Sequence, residues 1–314
     1  MGEAWIIDGV RSPRGRGKKG AGGLADVHPQ RVMAQVLNGL KDKVGFEVGD
    51  VEDVVAGNGS GTGDHAHDIA RSSVLDAGWP INVPGVTLHR FCGSGQQAVT
   101  MAAMGIMAGQ QDLVIGGGVE SMSRYSPNHT DGFTANNKHL FEQYPLIPQG
   151  VSADLIATRE GFSREQCDAY AVQSQERAAA SIKAGNFTDS IVPIYHNDGQ
   201  LALDKDEHPR PGTTLENMQG LNPSFEKMGT TLYDGHDRTF DQICKDVYPE
   251  IDGVTHVHHA GNSSGVVDGA GAILLSSPGY AKANGLKPRA KIVMTATAGT
   301  EPVIMLTAPG PAAE

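Results

Sequence analysis

Cysteine is scarce. The 314-residue chain has three, Cys92, Cys167 and Cys244, with no C-x-x-C spacing among them. An odd count without paired spacing argues against a disulfide framework or a cysteine-based zinc site and points to a reducing compartment. Aromatic residues are few as well, at 5%. Long apolar runs are missing, and none approaches the roughly 18 residues that a membrane span needs. The opening stretch sets Glu3 and Asp8 beside a short apolar patch, which is not the pattern of a secretory leader. A cytoplasmic protein with no membrane span is the expectation. Positive charge is in deficit, with Lys+Arg 25 against Asp+Glu 36 and a net charge of −11. Nucleic acid is therefore not an expected partner. The local exception, Arg11, Arg14, Arg16, Lys18 and Lys19, reads as a solvated basic loop.

Glycine is what the chain has in excess. It supplies 41 of 314 residues, against a usual share of about 7%. There is no G-X-Y period, so the surplus means tight turns and close backbone approaches, not collagen. Strand and helix signals alternate through the first third. Trp5–Ile7, Val51–Ala56, Val86–Phe91 and Leu113–Ile115 read as buried strands, the last ending in Gly116-Gly117-Gly118. Pro29 to Val44 has apolar residues on one helical face at Val32, Met33, Val36, Leu37 and Leu40. A second helix is expected over Asp68–Ala77. Ser94–Ala108 is apolar or small nearly all round, which predicts a helix buried inside the protein. This alternation predicts an α/β core around a mostly parallel sheet.

From Ser121 to Val254 the chain turns polar and loop-like. One helix stands out there. It starts at Ser163 with Gln166 three residues on, a capping box, and carries a stripe of Cys167, Tyr170, Ala171, Ser174, Ala178 and Ile182. So long an irregular stretch predicts an inserted domain. After His256 the α/β character returns, with a strand at Ala272–Ser276, a helix at Pro278–Asn284 and a strand at Ala290–Thr297.

The sharpest chemical feature is Arg90-Phe91-Cys92-Gly93-Ser94-Gly95, a cysteine where a strand hands over to an apolar helix. Free N–H groups at a helix start suit a thiolate and a developing oxyanion. The position alone fits a covalent nucleophile and a structural thiol equally well.

The neighbouring motifs resemble those of the thiolases. They are Arg11-Ser12-Pro13, Cys92-Gly93-Ser94-Gly95 with Ala98, Gly116 to Ser123, and Ala260 to Gly265 running into Asp268-Gly269-Ala270. Pro148-Gln149-Gly150 and Asp206-Glu207-His208 resemble the degradative branch, the 3-ketoacyl-CoA thiolases of fatty-acid β-oxidation complexes. A β-ketoacyl synthase would share the cysteine. Glu120-Ser121-Met122-Ser123 and the long loop domain speak against that relationship.

The resemblance implies a layered αβαβα thiolase-like fold. Residues 1–120 and 256–285 would form the N-terminal half-core, 121–255 the loop domain, and 286–314 the start of a second half-core. It implies that Cys92 accepts the acyl group. Ser264 would meet the pantetheine arm of coenzyme A, Arg210 its nucleotide end, and Gln149 would bear on acyl chain length. Acyl-CoA and coenzyme A would be the partners, coenzyme A as substrate with no bound cofactor. A homodimer or tetramer, with a possible hydratase/dehydrogenase subunit, goes with that reading. The family's Asn-Glu-Ala-Phe, Gly-His-Pro and Cys-x-Gly-Gly-Gly motifs are not found, and roughly the last fifth of a thiolase is not represented. An inactive fragment, or a non-catalytic acyl-CoA-binding or assembly subunit of thiolase fold, is the alternative expectation.

Two further patterns compete with this. Gly61-x-Gly63-x-x-Ala66 has dinucleotide-fingerprint spacing, which the resemblance reads as a loop at the sheet edge. His65 with His67, and His256 with His258 and His259, have zinc-like spacing. No third ligand is specified, so core or solvated histidines, and no metal, are expected.

Overall fold

The computed structural model describes residues 2–125, 137–232 and 237–314. They divide into two compact units.

The first unit takes in Met1–His129, Gly185–His208 and Gly265–Thr295. Its strands are β1 (Trp5–Arg11), β2 (Gly15–Arg16), β3 (Asp53–Gly57), β4 (Val86–Leu88), β5 (Leu113–Ser121), β6 (Ile194–Tyr195), β7 (Leu201–Leu203), β8 (Val267–Ser276) and β9 (Ala290–Lys291). Its helices are α1 (Pro29–Val44), α2 (Ile69–Asp76), α3 (Ser94–Met107) and, later in the chain, α10 (Pro278–Ala283). Among the described residues, seven strands form one sheet in the order β4-β3-β5-β8-β1-β9, with β2 hydrogen-bonded to β8, while β6 and β7 pair separately.

The sheet is mixed, not mostly parallel. β3 runs parallel to β4 and β5, but β8 is antiparallel to β5 and to β1. Strand β8 returns after the inserted segment and slots between β5 and β1. Local strand–helix alternation does not foretell that insertion. The same pairing carries β5 through Gly116–Gly118 to Ser121, which lies opposite Asp268. At the far edge, β9 covers only Ala290–Lys291 of the expected Ala290–Thr297 strand.

Period-two alternation assigns the two faces of the sheet. Val54, Leu113, Ile115 and Leu274 face α1 and α2, whose Val32, Met33, Leu37, Leu40 and Ile69 are buried. Val55, Val114 and Leu275 face α3 through Ala98, Ala102 and Ile106. Helix α1 starts on Pro29 and ends at Gly45, whose φ of 77° only glycine takes without strain. Helix α3 differs from the expectation. It buries only its sheet-facing side, and Met101 and Met104 are 44% and 49% exposed on the other.

The second unit takes in Thr130–Ala184, Pro209–Ser264 and Ala296–Glu314. It holds α4 (Lys138–Gln143), α5 (Gln149–Glu160), α6 (Arg164–Lys183), α7 (Leu215–Gln219), α8 (Glu226–Gly229), α9 (Phe240–Val247) and α11 (Pro309–Ala313). Its core gathers Phe141, Val151, Leu155, Phe240, Ile243, Cys244, Val303 and Ile304. The Ser163–Gln166 capping box forms as read. The α6 stripe does not bury. Tyr170 is 75% exposed, and the residue α6 turns inward is Asp168. Helices α5 and α9 stand where the polar composition predicts loop, although Thr239–Gln242 is a second capping box. Residues Gly185–His208 cluster with the first unit and 256–264 with the second. Residues 286–295 and 296–314 fall into different units.

Candidate active site

Glycine sets the floor of the site. A Cβ on Gly116 would sit 2.6 Å from the Val99 Cα, and one on Gly57 would overlap the Ser94 carbonyl carbon. Only bare backbone lets the start of α3 lie this close to β3 and β5. That contact places the preceding turn at the ends of these strands.

The turn is tightly held. The Gly93 amide donates to the Arg90 carbonyl at 3.0 Å, and the Ser94 amide to the Phe91 carbonyl at 3.0 Å. Ser94 Oγ accepts from the Arg90 amide at 2.8 Å and donates to the Phe91 carbonyl at 2.6 Å. Phe91 has φ of +45°, a left-handed conformation that a bulky residue takes only under constraint. Cys92, the next residue, is exposed.

Cys92 lines a cavity of about 930 Å³ with Arg11, Gly59, Glu120, Tyr125 and Asp268. Motifs far apart in sequence meet here. Ser123 donates its amide (2.9 Å) and its hydroxyl (2.5 Å) to Asp268, joining the Gly116–Ser123 and Asp268–Ala270 motifs. The Ser12 amide donates to the Ala270 carbonyl at 2.9 Å, and Ser12 Oγ accepts from the Ala270 amide at 3.0 Å. Arg11-Ser12-Pro13 thus joins the same wall.

The carboxylates here are unusual. Burial pushes Glu120 and Asp268 up, against the hydrogen bonds each accepts. Glu120 accepts from the Gly59 amide at 2.6 Å and from the Tyr125 hydroxyl. Burial, then Glu120, pushes the Tyr125 phenol up. Burial also raises Asp206, but Arg11, bidentate at 2.7 and 2.9 Å, and the Arg14 amide outweigh it and hold the carboxyl low. Glu207 accepts from the amides of Arg16 and Gly23. The basic loop is therefore pinned by Asp206 and Glu207, and only Lys18 and Lys19 match the solvated reading in full.

Gln149, Arg210 and Ser264 belong to the second unit. Gln149 is the first residue of α5, and all three are exposed. The Arg210 amide donates to Gln175 at 2.8 Å.

The histidines find structural partners. His65 is fully buried, accepts from the Ser121 amide at 2.9 Å, and is driven down to about 4, mainly by burial. In the second unit, buried Asp154 accepts from His256 and His258, each at 2.7 Å, and from the amides of Val257 and His258. His259 and Asn262 both meet Asp168 at 2.8 Å. Among the described residues no group of His, Cys, Asp and Glu is arranged to hold a metal ion. Sequence reasoning missed Asp154 and Asp168. Each is one acid among others on its helix, and its histidine partners lie about a hundred positions away, so no local pattern announces the pair.

The thiolase N-terminal domain model matches residues 4–233. A steroid 3-ketoacyl-CoA thiolase of Mycobacterium tuberculosis is 36% identical, the match covering 99% of this chain and 71% of that protein. A beta-ketoadipyl-CoA thiolase of Pseudomonas putida is 36% identical, covering 99% and 75%. The crystal structure of the Bacillus anthracis acetyl-CoA acetyltransferase superposes with a TM-score of 0.78 at 33% identity, covering 100% of this chain and 75% of that one. The chain belongs to the thiolase family. Its mixed α/β sheet is a thiolase-type core. No helix among the described residues of this thiolase is long and apolar enough to cross a membrane.

Proposed function

We propose that this chain is an acyltransferase that cleaves a 3-oxoacyl-CoA with coenzyme A, through an acyl group carried on Cys92. The observation that carries this is the exposed Cys92, held in a constrained turn at the start of α3 and opening into the cavity. In that reaction Sγ attacks the C3 carbonyl and the C2–C3 bond breaks. The acetyl-CoA enolate leaves and takes up a proton. The thiolate of a second coenzyme A then attacks the acyl-cysteine and frees Sγ with a shortened acyl-CoA. A soft thiolate serves well as both nucleophile and leaving group.

On this reading Ser264 meets the pantetheine arm, Arg210 serves the nucleotide end of coenzyme A, and Gln149 bears on acyl chain length. Relatives are named for steroid, beta-ketoadipyl and acetyl substrates, so β-oxidation is one setting among several. Acylation of Cys92 is the step on which this reading rests. Iodoacetamide labelling tests it. Acetyl-CoA should protect Cys92, and equal labelling with and without acetyl-CoA would sink the assignment.

A further inference from the structure

We propose that His89 is a positioning residue that holds the Cys92 turn in place, a role that rests on Cys92 being the acyl acceptor. His89 directly follows β4. Its Nε2 lies 2.8 Å from the Gly59 carbonyl oxygen, and its Nδ1 lies 3.4 Å from the Phe91 amide nitrogen. One tautomer satisfies both contacts, with Nε2–H donating to Gly59 and Nδ1 accepting from Phe91. The imidazole is thus a strut between the loop after β3 and the residue before Cys92. Its ring also meets the Phe91 ring edge-on, with centroids 4.8 Å apart.

Both ends of the strut matter. The loop end is fixed, because the Gly59 amide donates to Glu120 at 2.6 Å and the Asn58 side chain donates to the Val119 carbonyl at 2.8 Å. The turn end is strained, because Phe91 sits at φ +45°. Such a conformation persists only where its surroundings over-determine it. Ser94 Oγ restrains the turn from the helix side. His89 restrains the Phe91 amide from the sheet side. Without it the Phe91 amide loses one of its restraints, and rotation of Phe91 toward negative φ would carry the Cys92 thiol away from its place in the cavity.

The full chain, as wild type, His89→Ala and His89→Gln, tests this by two readouts. A glutamine amide can still donate to Gly59. Hydrogen–deuterium exchange of the Phe91–Ser94 amides should quicken about tenfold or more in His89→Ala, with the middle of α3 unchanged. Acetylation of Cys92 by acetyl-CoA should slow about tenfold or more, with little change in the half-saturating concentration, because placement and not binding is lost. His89→Gln should recover most of both. Unchanged exchange in His89→Ala overturns the strut. If exchange responds but wild-type Cys92 takes up no acetyl group, the strut stands and the assignment of Cys92 as acyl acceptor fails.

Discussion

His256 sets one ring nitrogen 2.7 Å from Asp154 and the other 3.1 Å from Asp241. Burial pulls its pKa down, but the two carboxylates outweigh burial and raise it. Asp154 is raised by burial, yet its hydrogen bonds to His258, Val257 and His256 hold it low overall. The signs give a window. A raised histidine stabilises fully below its unfolded value of about 6.5 and loses that contribution as pH rises through its folded value. A lowered aspartate stabilises above its unfolded value of about 3.9 and loses that as pH falls through its folded value. Denaturant unfolding of the second unit should therefore be most resistant between about pH 4 and 6.5. His256→Ala, which takes one of Asp154's two histidine partners and leaves it His258 and two amides, should cost about 1–3 kcal/mol and flatten the alkaline fall. A wild-type profile that stays flat from pH 5 to 9 would contradict the triad.

Gly116 and Gly95 should respond to alanine with opposite signs. On Gly116 the new Cβ meets the Val99 backbone at 2.6 Å, so α3 must lift off the sheet. About 1–3 kcal/mol should be lost, and Cys92 reactivity with it. On Gly95, inside the first turn of α3, the nearest atom is 3.9 Å away. Up to about 1 kcal/mol should be gained from helix propensity. Urea midpoints of the two variants check both signs.

Val293 and Met294, just past β9, are 84% and 82% exposed. They lie in irregular backbone beyond the strand and form an exposed apolar pair that can associate with other chains. Val293→Ser with Met294→Lys should raise the soluble fraction on expression and lower light scattering on concentration, with Cys92 labelling unchanged.

Much of the first unit was legible in the sequence, because its signals are local. The 3.6-residue stripe and Pro29 mark α1 to the residue, and Ser163 with Gln166 marks the start of α6. What failed was long-range. β8 arrives from more than a hundred residues downstream, makes the sheet mixed and carries β5 across three glycines. Tyr170 and Ile182 fit a helical stripe, yet tertiary context turns Asp168 inward instead. Cys92 was legible through its motif. His89 and Tyr125 meet neighbours that the fold brings together, so their spacing shows nothing by itself.

The three cysteines allow the most direct measurement. Burial pushes Cys244 up to about 12, and burial with Asp168 raises Cys167. Cys92 alone is exposed. Incubation with acetyl-CoA followed by peptide mass spectrometry should find one acetyl group, on Cys92, absent in Cys92→Ser. An acetyl group on Cys167 or Cys244 instead, or none on the wild-type chain, would contradict the account.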